Sequence, residues 1–178
     1  MSTRPMAVPF PAPSPAIEMT FEELRVAAAN PPESVAELRR IATLPRPWEP
    51  SSCLGEMRRL IYAWLDEVVA WINEEHTWRT DRVVPHCWSE HPHIVHELAT
   101  IACVRWEARV AVTPAPLEEW QRYTLPMFLD RIALRIGEAG CPPGRHLPSP
   151  GGGRYRLYRD GAPPTERRLR RNQDSELA

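Results

Sequence analysis

Hydrophobic residues recur at helical spacing in three stretches of the chain. In the first, Leu54, Met57, Leu60, Ile61, Trp64, Leu65, Val68 and Ile72 fall three or four residues apart. Glu56, Arg58, Arg59, Asp66, Glu67 and Glu74 occupy the other faces. This pattern predicts a long amphipathic helix, which Ser51 or Ser52 can cap. The second stripe is Ile94, Leu98, Ile101, Ala102 and Trp106. It predicts a helix capped by Ser89, with Glu90 at its positive end and Pro92 in a first turn that needs no backbone donor. The third stripe, Leu117, Trp120, Thr124, Phe128, Ile132 and Ile136, follows Thr113-Pro114-Ala115-Pro116. Pro126 should kink or split that last helix, because its ring clashes with the preceding turn.

Two shorter helices are expected ahead of these. Thr20-Phe21-Glu22-Glu23 and Ser34-Val35-Ala36-Glu37 both have the form of a capping box, in which hydroxyl and carboxylate satisfy reciprocal backbone donors. The prolines at 31, 32 and 45 end the two segments and suggest a helical hairpin. Residues 1–19 contain Pro9, Pro11, Pro13 and Pro15 with little bulk, which predicts a disordered arm. The expected architecture is all-α: a small bundle of three main helices, the last Pro-kinked, preceded by a short hairpin and flanked by disordered Pro-rich and Arg/Gly-rich tails. The expected divisions are residues 1–19 (arm), 20–50 (hairpin and linker), 51–143 (helical core) and 144–178 (basic tail).

Composition changes this picture in two respects. All 22 basic residues are arginine, alongside 21 prolines, a bias that suits a high-GC bacterial genome. The formal net charge of -1 conceals an asymmetry: residues 144–178 hold eight arginines against Asp160, Glu166, Asp174 and Glu176. A basic tail on an acidic body suits an anionic partner, and it also describes an ordinary solubilising tail. No 18-residue apolar run predicts a membrane span, and no secretory leader is evident. The expected compartment is the cytoplasm, with Cys53, Cys87, Cys103 and Cys141 reduced or bound to metal.

The densest chemistry lies in residues 86–96, His-Cys-Trp-Ser-Glu-His-Pro-His-Ile-Val-His, which hold four of the six histidines. Cys87 and His91 are four apart, and Cys141 and His146 are five apart. Two sulfurs and two nitrogens form a ligand set that tetrahedral zinc accepts. The competing expectation is that Cys87 packs beside Trp88 and the histidines decorate a helix start. His93 and His96, with Glu97 on the same helical face, invite an acid–base reading. Their order differs from that of the zinc proteases, and both rings are expected to face solvent, so no catalytic residue is assigned and the chain is not expected to be an enzyme. No phosphate loop, nucleophile elbow or dinucleotide fingerprint occurs, and a small-molecule substrate is not expected. Zinc is the only cofactor in view.

The tail supplies Arg154, Tyr155, Arg156, Tyr158 and Arg159, then Arg167, Arg168, Arg170 and Arg171. Guanidinium forks match phosphates and tyrosine faces stack on bases, so these residues are the candidate nucleic-acid contacts. Trp71 and Trp78 flank the first stripe and could contribute to a protein-binding face.

The run Cys87-Trp88-Ser89-Glu90-His91-Pro92, with Leu98, Trp106, Trp120, Gly140-Cys141 and His146, resembles an actinobacterial domain of unknown function carried on plasmids and phages. The resemblance spans roughly residues 60–146. One tryptophan follows Cys87 directly, where the family has a pair further on. The resemblance implies a mobile-element setting and no established activity, and it favours Cys87, His91, Cys141 and His146 as a group. The expected role is accessory and non-enzymatic, in plasmid transfer, maintenance or regulation through protein or DNA contacts. The alternative is a zinc-stabilised binding or regulatory domain using Cys87, His91, Cys141 and His146, and the third reading is an enzyme using His93 or His96.

Overall fold

The computed structural model describes residues 7–136, 141 and 145–147. Every regular element among them is helical. The helices are α1 (Pro15–Ala29), α2 (Val35–Thr43), α3 (Gly55–Glu75), α4 (Pro92–Ala108), α5 (Ala115–Glu119) and α6 (Leu125–Ile136). The all-α expectation holds, and the three stripes lie on α3, α4 and α5–α6, except that Leu54, and not Ser51 or Ser52, is the N-cap of α3 and is 79% exposed. Residues up to Gly144 belong to one unit, and Arg145 begins a second.

Helix α3 is central. Ile61, Trp64, Leu65, Val68 and Ile72 are buried, as the spacing requires, but so are Val69 and Trp71. Val69 flanks the stripe on one side, beside Val84 and Ile132, and Trp71 flanks it on the other, where the N-terminal segment covers it. From residue 7 the chain is not a disordered arm but a strap laid along α3. Trp64 Nε1 donates to the Pro11 carbonyl at 3.0 Å, and Trp71 Nε1 donates to the Val8 carbonyl at 2.7 Å. The Val8 backbone N–H donates to the Glu75 carboxylate at 3.2 Å. Phe10 stands edge-on to both indoles, with centroids 6.3 and 5.1 Å away. Trp71 is therefore core and not a partner-binding face, whereas Trp78 is 96% exposed.

The strap feeds directly into α1, which starts at Pro15 and not at Thr20. Proline suits a first helical position because its φ is already set and its missing donor is not needed there. Ile17 and Phe21 then face the core, and Thr20 lies inside the helix, its hydroxyl donating to the Ala16 carbonyl at 3.0 Å. The capping box read at Thr20 is thus not used. The one at Ser34 is: its hydroxyl accepts from the Glu37 backbone N–H at 3.1 Å. The expected hairpin does not form a unit, because α1 packs on α3 through Phe21 and Trp64 while α2 buries no residue.

Helix α4 buries Ile94, Leu98, Ile101, Ala102 and Trp106 against α3 and α6. Pro92 occupies its first turn, but His91 and not Ser89 is the N-cap residue. The last helix is interrupted just ahead of Pro126, by a specific device. Between α5 and α6 lies a π-helical turn, Trp120–Thr124, in which the Leu125 backbone N–H reaches back to the Trp120 carbonyl. The wider turn accommodates a backbone that Pro126 cannot bond. It also accounts for the third stripe. Trp120, Thr124, Phe128 and Ile132 are each four apart, a spacing that drifts around a regular 3.6-residue helix. One added residue in the π turn offsets the drift, and Trp120, Phe128 and Ile132 are all buried.

Candidate metal centre

The loop before α4 is fixed by Trp88. Its ring is 2% exposed and stacks on Tyr62 at 5.6 Å, and its Nε1 donates to Asp66 of α3 at 2.9 Å. Residues Trp88–Glu90 then form a single 3-10 turn. The Glu90 backbone N–H donates to the Cys87 carbonyl at 2.9 Å, and that of His91 donates to the Trp88 carbonyl at 3.1 Å. This tight turn carries Cys87 and His91 round to the same side. The His91 carbonyl accepts from Ile94 and Val95, at 2.8 and 3.1 Å, and so anchors the start of α4.

His91 is buried, and its Nε2 lies 3.4 Å from the Cys87 Sγ. The Cys141 Sγ, fifty residues further on, lies 3.3 Å from the same nitrogen. The ligand atoms of these three residues all lie within 4.8 Å of one another. Cys141 is half-buried, and His146 falls in the second unit, five residues beyond it.

Hydrogen bonding accounts for only part of the arrangement. A ring nitrogen has one in-plane lone pair or one N–H, and so one strong partner. Here two sulfurs sit at contact distance from the same atom. A zinc ion bonded at about 2.3 Å to sulfur and about 2.0–2.1 Å to nitrogen sets tetrahedral S···N separations of about 3.5 Å. The two observed distances fall just below that. Burial, followed by the neighbouring Cys141 thiol, pushes the Cys87 thiol up to about 11. A divalent cation would supply the positive charge that this buried environment lacks, and its ligation would displace the thiol proton.

Comparison with family models, with curated proteins and with solved structures yields no match. The function therefore has to be read from the chain's own residues.

The other histidines divide. His96 is exposed, whereas His93 is half-buried, edge-on to His91 with centroids 5.8 Å apart, against the solvent-facing expectation. Burial, then Arg135, lowers the His93 pKa. Its companion Glu97 is engaged elsewhere: it accepts from Arg131 at 2.6 Å and also pairs with Arg135. Glu97 thus clasps α6 to α4 and does not serve as a dedicated partner for His93. A cleft of about 770 Å³ opens beside Cys141, bordered by Asp66, His86, Trp88, Ile132 and Ile136. Sequence reasoning missed Tyr62 and Asp66 as the anchors of the Cys87 loop. Their only sequence signal was their position on the α3 helix.

The candidate nucleic-acid contacts, Arg154, Tyr155, Arg156, Tyr158, Arg159, Arg167, Arg168, Arg170 and Arg171, lie outside the described residues. No helix among the described residues is long and apolar enough to cross a membrane.

Proposed function

We propose that this chain is a zinc-binding protein in which Cys87, His91, Cys141 and His146 hold one ion, and that the ion staples the C-terminal segment to the helical core. The observation that carries this reading is the convergence of two cysteine sulfurs on one buried imidazole nitrogen. His146 is the natural fourth donor, since only four residues separate it from Cys141. Four protein ligands leave no open coordination position, which favours a structural ion over a catalytic one.

Purified protein is expected to contain about one zinc per chain, and cobalt in its place should give a thiolate-to-metal charge-transfer band. His91→Ala should lose the ion, and His146→Ala should hold it more weakly. Less than roughly 0.1 zinc per chain after growth with zinc would sink the reading. An unweakened His146→Ala would remove His146 from the site.

The charge asymmetry favours a second, compatible reading: the arginines beyond Leu147 contact DNA, and the zinc-stapled core presents them. An accessory, non-enzymatic role on a mobile element fits this reading. Truncation after Leu147 keeps all four ligands and removes the nine candidate contacts. It should lower affinity for duplex DNA and flatten its salt dependence, because each lost phosphate contact reduces the counterions released. If affinity and salt slope are both unchanged, the tail is not the contact.

A further inference from the structure

The four cysteines fall into two settings. Cys53 is sealed in the core at 2% exposure, and Cys103, 4% exposed, lines a separate cleft of about 590 Å³ between α1 and α4. Cys87 is also buried, but its neighbour Cys141 is half-buried and borders the open cleft beside α3 and α6. The two sulfurs lie within 4.8 Å of each other, gathered on one imidazole. One thiolate is thus within reach of solvent, and a second stands directly behind it. That is the arrangement of an attacking and a resolving cysteine.

We infer that the zinc centre is an oxidant-responsive latch, in which peroxide joins Cys87 to Cys141 and expels the metal. The inference rests on the zinc reading above. The Cys141 thiolate attacks one oxygen of hydrogen peroxide, the O–O bond breaks, and hydroxide leaves, giving a sulfenic acid. The Cys87 thiolate then attacks that sulfur, the S–O bond breaks, and a second hydroxide leaves as the disulfide forms. Two thiolates lose one electron each, and peroxide takes up both. The ion is left with only imidazole ligands, which hold it poorly once both thiolates are gone. Release of the ion then frees the segment that begins beyond Cys141 from the core. A thiol reductant reverses the step and restores both ligands.

Zinc also protects thiolates, so the outcome depends on access. The cleft reaches Cys141, and a molecule as small as peroxide needs only that one sulfur to start the sequence. Cys53 serves as an internal control, because it is buried and borders neither cleft.

The test uses full-length, zinc-loaded protein whose metal content has first been measured. Hydrogen peroxide is added with a chromogenic chelator present, and the thiols are then mapped by alkylation and peptide mass spectrometry. The expected result is loss of bound zinc from about one to below about 0.1 per chain. A Cys87–Cys141 disulfide should appear in step with that loss, with Cys53 still reduced. Dithiothreitol and fresh zinc should restore the starting state. Zinc retained under peroxide, or released with sulfinic acid and no Cys87–Cys141 link, would overturn the latch while leaving the zinc site standing. A chain that carries no zinc before peroxide overturns both.

Discussion

Removing zinc with an excess of a strong chelator is expected to lower the stability of this protein by about 4 kcal/mol, if free zinc had stood a thousandfold above its dissociation constant. For a helical unit of this size that corresponds to a fall of about 10 °C in melting temperature. The direction follows from linkage: an ion that binds the folded arrangement of Cys87, His91 and Cys141, and not the unfolded chain, adds its binding free energy to folding. The size should stay below that of isolated zinc fingers, which unfold completely without metal. The reason is the core. Trp64, Leu65, Ile72, Leu98, Trp120 and Phe128 are buried independently of the site, so the stripped protein should remain folded and helical. Two melting curves, with and without chelator, measure the effect, and a Cys87→Ser variant should show no response to chelator. Superimposable wild-type curves would mean that no native-state metal contributes.

Trp120→Ala is expected to destabilise the fold by about 3–5 kcal/mol, the range for truncating a large buried aromatic. Trp120 is 1% exposed and belongs to the π turn. Its ring lies 6.1 Å from that of Trp71, 5.7 Å from that of His76 and 5.7 Å beneath the Arg105 guanidinium. Its Nε1 donates to the Ile101 carbonyl of α4 at 2.9 Å. Alanine leaves a cavity where α3, α4 and the last helix meet, and it leaves that carbonyl without its indole donor. Trp120→Phe separates the two contributions, retaining most of the packing and losing the hydrogen bond, at about 1–3 kcal/mol. Trp78→Ala is the contrast: at 96% exposure it should change stability by less than about 0.5 kcal/mol. Denaturant unfolding gives all three values. A Trp120→Ala midpoint equal to wild type would show that the ring is not part of the core.

What the sequence revealed, and what it hid, follows the range of the forces involved. The stripes of α3, α4 and the last helix were legible because helix periodicity is local: Ile61, Val68, Ile94 and Leu98 advertise their burial through their neighbours. The four-residue spacing from Trp120 to Ile132 also carried the π turn, although it reads at first as an imperfect helix. The strap was not legible. Alternating prolines imply disorder when taken alone, and only Trp64 and Trp71, more than fifty residues away, supply the donors that hold residues 8 to 11. Pro15 at a helix start was the one local clue. The candidate site divides in the same manner. Cys87 and His91 are only four positions apart and could be paired by inspection. The approach of Cys141 depends on where the end of α6 is delivered, which involves the Glu97 clasp and the π turn before Pro126. The misjudged exposure of His93 has the same origin, since its burial comes from neighbours that helix position does not reveal.

The strap has one further consequence, for association between chains. An extended segment packed along a helix ordinarily leaves a row of backbone donors and acceptors on which another chain's strand can form. Here Pro9, Pro11 and Pro13 carry no N–H. The Val8 donor is taken by Glu75, and the Val8 and Pro11 carbonyls are taken by indoles. A passing strand therefore finds no continuous ladder to extend. The alternating prolines make the outermost extended stretch of the core a poor template for aggregation, and they do so without placing any charge on it.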